Sequence, residues 1–100
     1  MAPYYAVIFT SNLSENITGY DQMAELIEKL AREQEGFLGV GSARNEIGIT
    51  VSYWKDLESI KKWKANTDHL VAQQKGIENW YENYTVRIAL VEREYSFQKP

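Results

Sequence analysis

From Tyr4 to Ser11 the chain is rich in aromatic and branched residues, and both alternating sets are apolar: Tyr5, Val7 and Phe9 on one face, Tyr4, Ala6 and Ile8 on the other. That pattern predicts a strand covered on both sides. Ser11 to Gly19 is polar and reads as a loop, with Thr18 and Asp21 as a helix-start signal. Met23, Leu26, Ile27, Leu30 and Ala31 then recur at helical spacing opposite Glu25, Glu28, Lys29, Arg32 and Glu33. They predict an amphipathic helix that Gly36 ends, in the place expected just after a helix C-terminus.

Two strands follow, Phe37 to Arg44 and Ile47 to Trp54, joined by a short turn at Asn45-Glu46. Gly39, Gly41 and Gly48 leave room for a close neighbour or mark bulges. Asp56 is placed to cap a second helix carrying Leu57, Ile60, Trp63, Thr67 and Leu70 on its inner side. Gly76 ends it, and Ile77 to Tyr81 reads as a short extra turn. The last strand runs from Tyr84 to about Tyr95, with Val86, Ile88 and Leu90 on one face and Ala89 and Val91 on the other.

The order β-α-β-β-α-β predicts an α+β, ferredoxin-like domain spanning 1-100: an antiparallel four-stranded sheet with two helices on one face. Two helices cover only one face, yet the strands are apolar on both. The uncovered face therefore needs a partner, and a second copy of the chain, sheet against sheet, is the economical solution.

Composition narrows the chemistry. One hundred residues make one domain, and 44% hydrophobic with 25% charged content is ordinary for a globular protein. A net charge of -3 gives no electrostatic footprint for nucleic acid or an anionic membrane. The absence of cysteine excludes disulfides, thiolate catalysis and cysteine-ligated metal centres. No secretory signal or membrane-length apolar run is visible, so the expected location is the cytoplasm, and the three Asn-X-Ser/Thr sequons read as chance.

The rings are concentrated. All three tryptophans (Trp54, Trp63, Trp80), the single histidine His69, Tyr81, Tyr84 and Arg87 fall in one third of the chain. Aromatic bodies with polar tips wall small-molecule pockets, and they also fill ordinary cores. Trp54 and Trp63 read first as core or cavity wall, whereas Trp80 and Tyr81, in a connecting segment, would close a pocket or an interface. His69 is the one side chain that titrates near neutrality unperturbed. A continuous second helix turns it away from the Leu57, Ile60, Trp63 stripe; a break at Asn66-Thr67-Asp68 would reset its phase. Arg87 interrupts an apolar run and needs a partner, from Glu82, Glu78, Asp68 or a substrate oxyanion. One histidine without clustered carboxylates makes no metal site, and no phosphate-cradling glycine loop follows a strand.

Glu35-Gly36-Phe37-Leu38-Gly39, and the run from Tyr53-Trp54-Lys55-Asp56 to Trp63, Asn66 and His69, resemble the antibiotic biosynthesis monooxygenase-like domain family over nearly the whole chain. The resemblance implies a dimeric α/β barrel of ferredoxin-like subunits. It also implies two chemistries. Heme-degrading members place a tryptophan at the end of the third strand, an asparagine on the first strand and an iron-ligating histidine late in the second helix. Trp54 matches the first, but Phe9 and Gln73 stand at the other two, which disfavours heme and leaves no cofactor expected. Cofactor-independent members use Asn, Trp, Tyr and Arg to bind an electron-rich aromatic or polyketide-like compound that reacts with oxygen directly. On that implication His69, Asn66 and Arg87 are the catalytic candidates, and Trp54, Trp63, Tyr81 and Tyr84 would bind substrate. The expected pocket lies between helices and sheet, beneath Trp63, in space left by small residues of the second and third strands. The other class open to the sequence is a non-catalytic, ligand-binding or stress-related homodimer with the same cavity.

Overall fold

A computed structural model describes residues 3–72 and 80–100, excepting the side chains of 69–72. Its elements follow the expected order: β1 (Tyr4–Leu13), α1 (Tyr20–Glu33), β2 (Phe37–Arg44), β3 (Gly48–Trp54), α2 (Leu57–Ala72) and β4 (Tyr81–Val91). The strands form one sheet in the order β2-β3-β1-β4, every neighbouring pair antiparallel. This is the ferredoxin-like arrangement that the alternation implied. β1 lies inside the sheet and pairs on both sides, which is why it is the most continuously apolar strand.

Register assigns the faces. Val7 joins Ala31, Trp54 and Ile60 in the core, and Tyr5, Phe37 and Trp63 pack against that cluster. Tyr5, Val7, Phe9 and Ser11 therefore point toward the helices. Directly paired residues share a face. The helix-facing side accordingly carries Trp54, Ser52, Thr50 and Gly48 from β3, and Leu90, Ile88, Val86 and Tyr84 from β4. The opposite face carries Tyr4, Ala6 and Ile8 with Tyr53, Val51 and Ile49, and Val91, Ala89 and Arg87 from β4. Edge-to-face packing of Tyr4 on Tyr53, with centroids 5.9 Å apart, marks that face.

α1 packs against β2 and α2 against β3. The helix-facing row of β4 is left half open: Val86, Ile88 and Leu90 are 47%, 52% and 49% exposed. An edge strand with apolar side chains uncovered on its helix-facing side is a shelf, and it adjoins the core through Val7, which pairs with Ile88.

Several boundaries differ from expectation for local reasons. β1 continues through Leu13 instead of ending at Ser11, because Ser11 and Asn12 still pair with Tyr84 and Asn83. Thr18 does not cap α1. Its hydroxyl donates to Asn16 Oδ1 at 3.1 Å, and the helix is entered from Gly19 at φ 82°. Gly36 is not the residue just past the helix, since α1 ends at Glu33 and extended Gln34 caps it. Gly36 instead turns the chain into β2 at φ 89°, its carbonyl accepting from Lys55 N–H at 2.8 Å. A Cβ there would collide with Ser59 Oγ and stand 2.7 Å from Ser59 Cβ. Glycine is required by both conformation and space.

Asp56 caps α2 as its position suggested, Oδ1 accepting from Ser59 N–H at 2.8 Å. Hydrogen bonds from Ser59, its side chain first and its N–H second, hold the Asp56 carboxyl below its ordinary value. β4 begins at Tyr81, not Tyr84, and ends at Val91, short of Tyr95; pairing with β1 stops where β1 itself begins, at Tyr4. The expected stop at Gly76 and the residues 77–79 of the expected turn lie outside the described residues, as does Gln73. No helix among the described residues is long and apolar enough to cross a membrane.

Candidate functional site

The two tryptophans of the expected pocket occupy unequal positions. Trp54 closes β3 on the helix side, is fully buried, and its indole N–H donates to Ser52 Oγ at 2.9 Å. It cannot touch a ligand in this conformation, contrary to the substrate-binding role expected of it; Phe37 and Trp63 cover its ring, with centroids 5.5 and 5.1 Å away. Trp63 is partly buried on α2, and its Nε1 is shut off from solvent with no hydrogen-bond partner among the described residues. A stranded indole N–H costs free energy unless an acceptor arrives. The small residues of β2 do not open space beneath it. A bulge between Phe37 and Gly39 puts Gly39 opposite Tyr53 and Gly41 opposite Val51, on the helix-free face.

A second group of rings stands farther along the same helix-facing side. Phe9 stacks on Tyr84 at 5.4 Å and meets Tyr81 edge-on at 5.6 Å, and Tyr20 from α1 meets Tyr81 at 6.0 Å. Burial, then the neighbouring Tyr20, push the Tyr81 phenol up to about 12, partly countered by Arg44. Tyr81 is thus a neutral hydrogen-bond donor at physiological pH. Arg44, at the end of β2, crosses to β1, where Nη2 donates to Ser11 Oγ at 2.6 Å and Nη1 to Ser11 O at 3.3 Å. Its guanidinium lies 5.9 Å from the Tyr20 ring centroid and against Gly48, where a Cβ would overlap it. Among the described residues no carboxylate pairs with it. Sequence reasoning missed Arg44 and Tyr20, and named Phe9 only as a departure from the heme enzymes. Gly48, which pairs directly with Ser11, was the available signal, a glycine leaving room for a close neighbour.

The remaining candidates do not converge. Asn66 is exposed on α2, and its Nδ2 donates to Gln34 Oε1 at 3.2 Å, tying α2 to the end of α1. α2 runs unbroken through Asn66-Thr67-Asp68, so its phase is not reset there. The His69 side chain lies outside the described residues. Arg87 pairs with Ile8 and so leaves the sheet on the helix-free face, opposite to Trp63 and Tyr84. It is exposed, and none of its expected partners among the described residues bonds it; Asp68 pairs instead with Lys64 at 2.9 Å. Trp80 is buried rather than an exposed pocket closure, its Nε1 donating to Thr18 O at 2.8 Å and its carbonyl accepting from Ser14 N–H. It staples the β1–α1 loop to the start of β4. No group of three or more acidic or histidine side chains that could hold a metal occurs among the described residues.

Comparison with known proteins adds three findings. The chain is 52% identical over 99 residues to the uncharacterized protein YqjZ of Bacillus subtilis, covering 97% of this chain and 87% of that protein. Its fold matches SnoaB, a cofactor-independent oxygenase from Streptomyces nogalater, at TM-score 0.69 and 11% identity, over 98% of this chain and 100% of that one. It also matches a candidate antibiotic biosynthesis monooxygenase from Nitrosomonas europaea at TM-score 0.70 and 12% identity, over 86% and 88% of the two chains. No protein-family model matches the chain.

Proposed function

Since the chain belongs to one family with Bacillus subtilis YqjZ, and its fold is that of the antibiotic biosynthesis monooxygenase-like proteins, we propose that it binds a small electron-rich aromatic or polyketide-like compound and oxygenates it without a cofactor. One observation carries the binding half of this reading. The Trp63 indole N–H is buried without an acceptor among the described residues, on the same side of the sheet as the half-open shelf of Val86, Ile88 and Leu90. Nε1 is closed off in this conformation, so a flat ligand on the shelf reaches it only if the partly buried Trp63 ring turns. A carbonyl or phenolic oxygen meeting it then would satisfy the donor while the rings cover apolar surface.

The chemistry needs only a carbanion and oxygen. Deprotonation of an activated CH2 beside two phenol-bearing rings gives a delocalised enolate. Oxygen adds to that carbon, and the hydroperoxide formed loses water to leave a carbonyl. His69 is the base candidate, and Tyr81, held neutral, is a donor to the developing oxyanion. Trp63, Tyr84 and Phe9 hold the rings. Asn66 would join this group only by releasing Gln34, and Arg87 belongs to the other face.

A second reading, ligand binding without turnover, is favoured by that same failure of Asn66 and Arg87 to converge on Trp63. Oxygen uptake with 1,8-dihydroxyanthrone separates the two. Turnover lost in His69→Ala, with binding kept, supports oxygenation; saturable quenching of tryptophan fluorescence without oxygen uptake supports binding alone. No quenching at all would refute both.

The helix-free face is the proposed seat of a second copy. It carries Tyr4, Ile8, Val51, Tyr53 and Ala89, each partly exposed, around the buried Ala6, and Ile49 at its margin is 46% exposed. A sheet-to-sheet homodimer would cover it.

A further inference from the structure

The Arg44 corner is not used by the chemistry above. We propose that the Arg44 guanidinium is the receptor for an anionic group, a carboxylate or phenolate, on a flat aromatic ligand whose ring lies over Phe9 and Tyr84. This deepens the ligand-binding reading and rests on it.

Three features distinguish Arg44 from an ordinary surface arginine. It is fixed: two N–H groups are spent on Ser11 Oγ and Ser11 O, and its plane rests on Gly48 where no Cβ intervenes. It is uncompensated: the chain has 14 acidic residues, yet among the described residues none pairs with this one. Guanidinium carries five N–H donors, and Arg44 is exposed, so three remain open to solvent or to a ligand. It is also placed beside rings, with Tyr20 at 5.9 Å and the Phe9–Tyr84 stack on the same side of the sheet.

A merely structural strut between β2 and β1 would require only a neutral donor to reach Ser11. The charge strengthens those two bonds, and it also leaves an anion receptor in the N–H groups that Ser11 does not use. The fork of a preorganised guanidinium suits a planar carboxylate, and neighbouring π-faces suit the ring that bears it. Ser11 is four residues along β1 from Val7, which packs in the core beside Trp63. Strand rise puts the two polar ends of the ring-lined side on the order of 13 Å apart. That span suits a fused polycyclic acid better than a single ring.

The test uses a matched pair of probes, 2-naphthoate and 2-naphthalenemethanol, measured by equilibrium dialysis. The wild-type protein should prefer the carboxylate by roughly tenfold or more, as expected for a charged hydrogen bond. Arg44→Gln should abolish the preference while changing affinity for the alcohol by less than about twofold, and Arg44→Lys should keep part of it. Because Arg44→Gln also removes the link to Ser11 and could fail to fold, the wild-type protein is titrated in parallel. Its Arg44 Nε–H resonance should shift with 2-naphthoate, while those of Arg32, Arg87 and Arg93 stay in place. A preference that survives Arg44→Gln, or an unmoved Arg44 resonance, overturns the proposal. Equal binding of both probes to wild type overturns this inference alone; binding of neither overturns it together with the ligand reading.

Discussion

Phenylalanine substituted for either of two tryptophans in ring contact should have very unequal consequences. Trp54 is fully buried and donates to Ser52 at 2.9 Å; Trp63, whose ring centroid is 5.1 Å away, has a buried N–H with no acceptor among the described residues. In Trp54→Phe the lost ring atoms cost about 1–2 kcal/mol in burial and cavity, and stranding the Ser52 hydroxyl costs about 1–2 more. The expected destabilisation is about 3 kcal/mol. In Trp63→Phe the same atoms leave a partly exposed site, costing about 1 kcal/mol, while removal of an unsatisfied donor returns about 1–2. The net change should lie within about 1 kcal/mol of zero. Urea unfolding followed by far-ultraviolet circular dichroism reads both variants without relying on the mutated fluorophores. The double mutant measures their coupling, which contact makes non-additive. A Trp63→Phe loss equal to that of Trp54→Phe would mean that the indole N–H of Trp63 is already satisfied, and the argument for a waiting ligand would go with it.

Gly36→Ala should destabilise by about 2–4 kcal/mol, because a left-handed φ and a collision with Ser59 add together, and Ser59→Gly should restore part of the loss in the same thermal melts. Tyr81, with a folded pKa of about 12 against an unfolded value of 10.0, favours the folded state fully below pH 10 and loses that contribution as pH rises toward 12. Stability measured across pH 9 to 12 should therefore fall less steeply in Tyr81→Phe than in wild type; identical slopes would contradict it. Val51→Asp, placing a charge in the proposed dimer face, should convert a sedimenting dimer to a monomer at micromolar concentration, and a wild-type monomer would remove the dimer proposal. Hemin added to the protein should give no stoichiometric Soret band that depends on His69, tested by comparing wild type with His69→Ala.

The fold was legible because periodicity reports burial, and burial is what the sheet and helices share. Both-face apolarity in β1 and β4 correctly announced a sheet with too few helices. Boundaries were less legible where backbone pairing or side-chain competition decided them. Ser11 looks like a loop residue, but it continues the ladder and is buried under Arg44. Thr18 looks like a cap, but Asn16 takes its hydroxyl. The site was legible in its aromatic inventory and not in its geometry. Trp54 and Trp63 read alike in sequence, yet only one has a spare donor. Arg44 ends one strand and Arg87 interrupts another, and a preference for Arg87 followed from the more apolar run around it. Register decides otherwise: Arg87 opposite Ile8 faces away from the helices, while Arg44 opposite Gly48 faces them. No pattern along one strand carries that information, since it depends on which neighbour each strand takes.

β4 shows how one strand serves two surfaces. Its alternation gives Val86, Ile88 and Leu90 to the helix-facing side and Ala89 and Val91 to the other, while both helices lie mainly over other strands. A single edge strand thus forms part of the proposed ligand shelf and part of the proposed dimer face. The two surfaces are one side chain apart through the sheet. A substitution that shifts β4 by one residue would exchange the two sets, carrying Arg87 onto the shelf and Ile88 into the dimer face. The device that pins the register is local: Trp80, just before β4, is tied to the loop after β1 through Thr18 O and Ser14 N–H. Trp80→Ala removes the side-chain half of that staple, the Nε1 bond to Thr18 O, while the backbone bond from Ser14 stays available. Weakened in this way, the register should slip enough to impair ligand binding and self-association together, even though Trp80 lies in neither surface. Binding and dimerisation surviving intact in a folded Trp80→Ala would show instead that pairing with β1 alone holds the register.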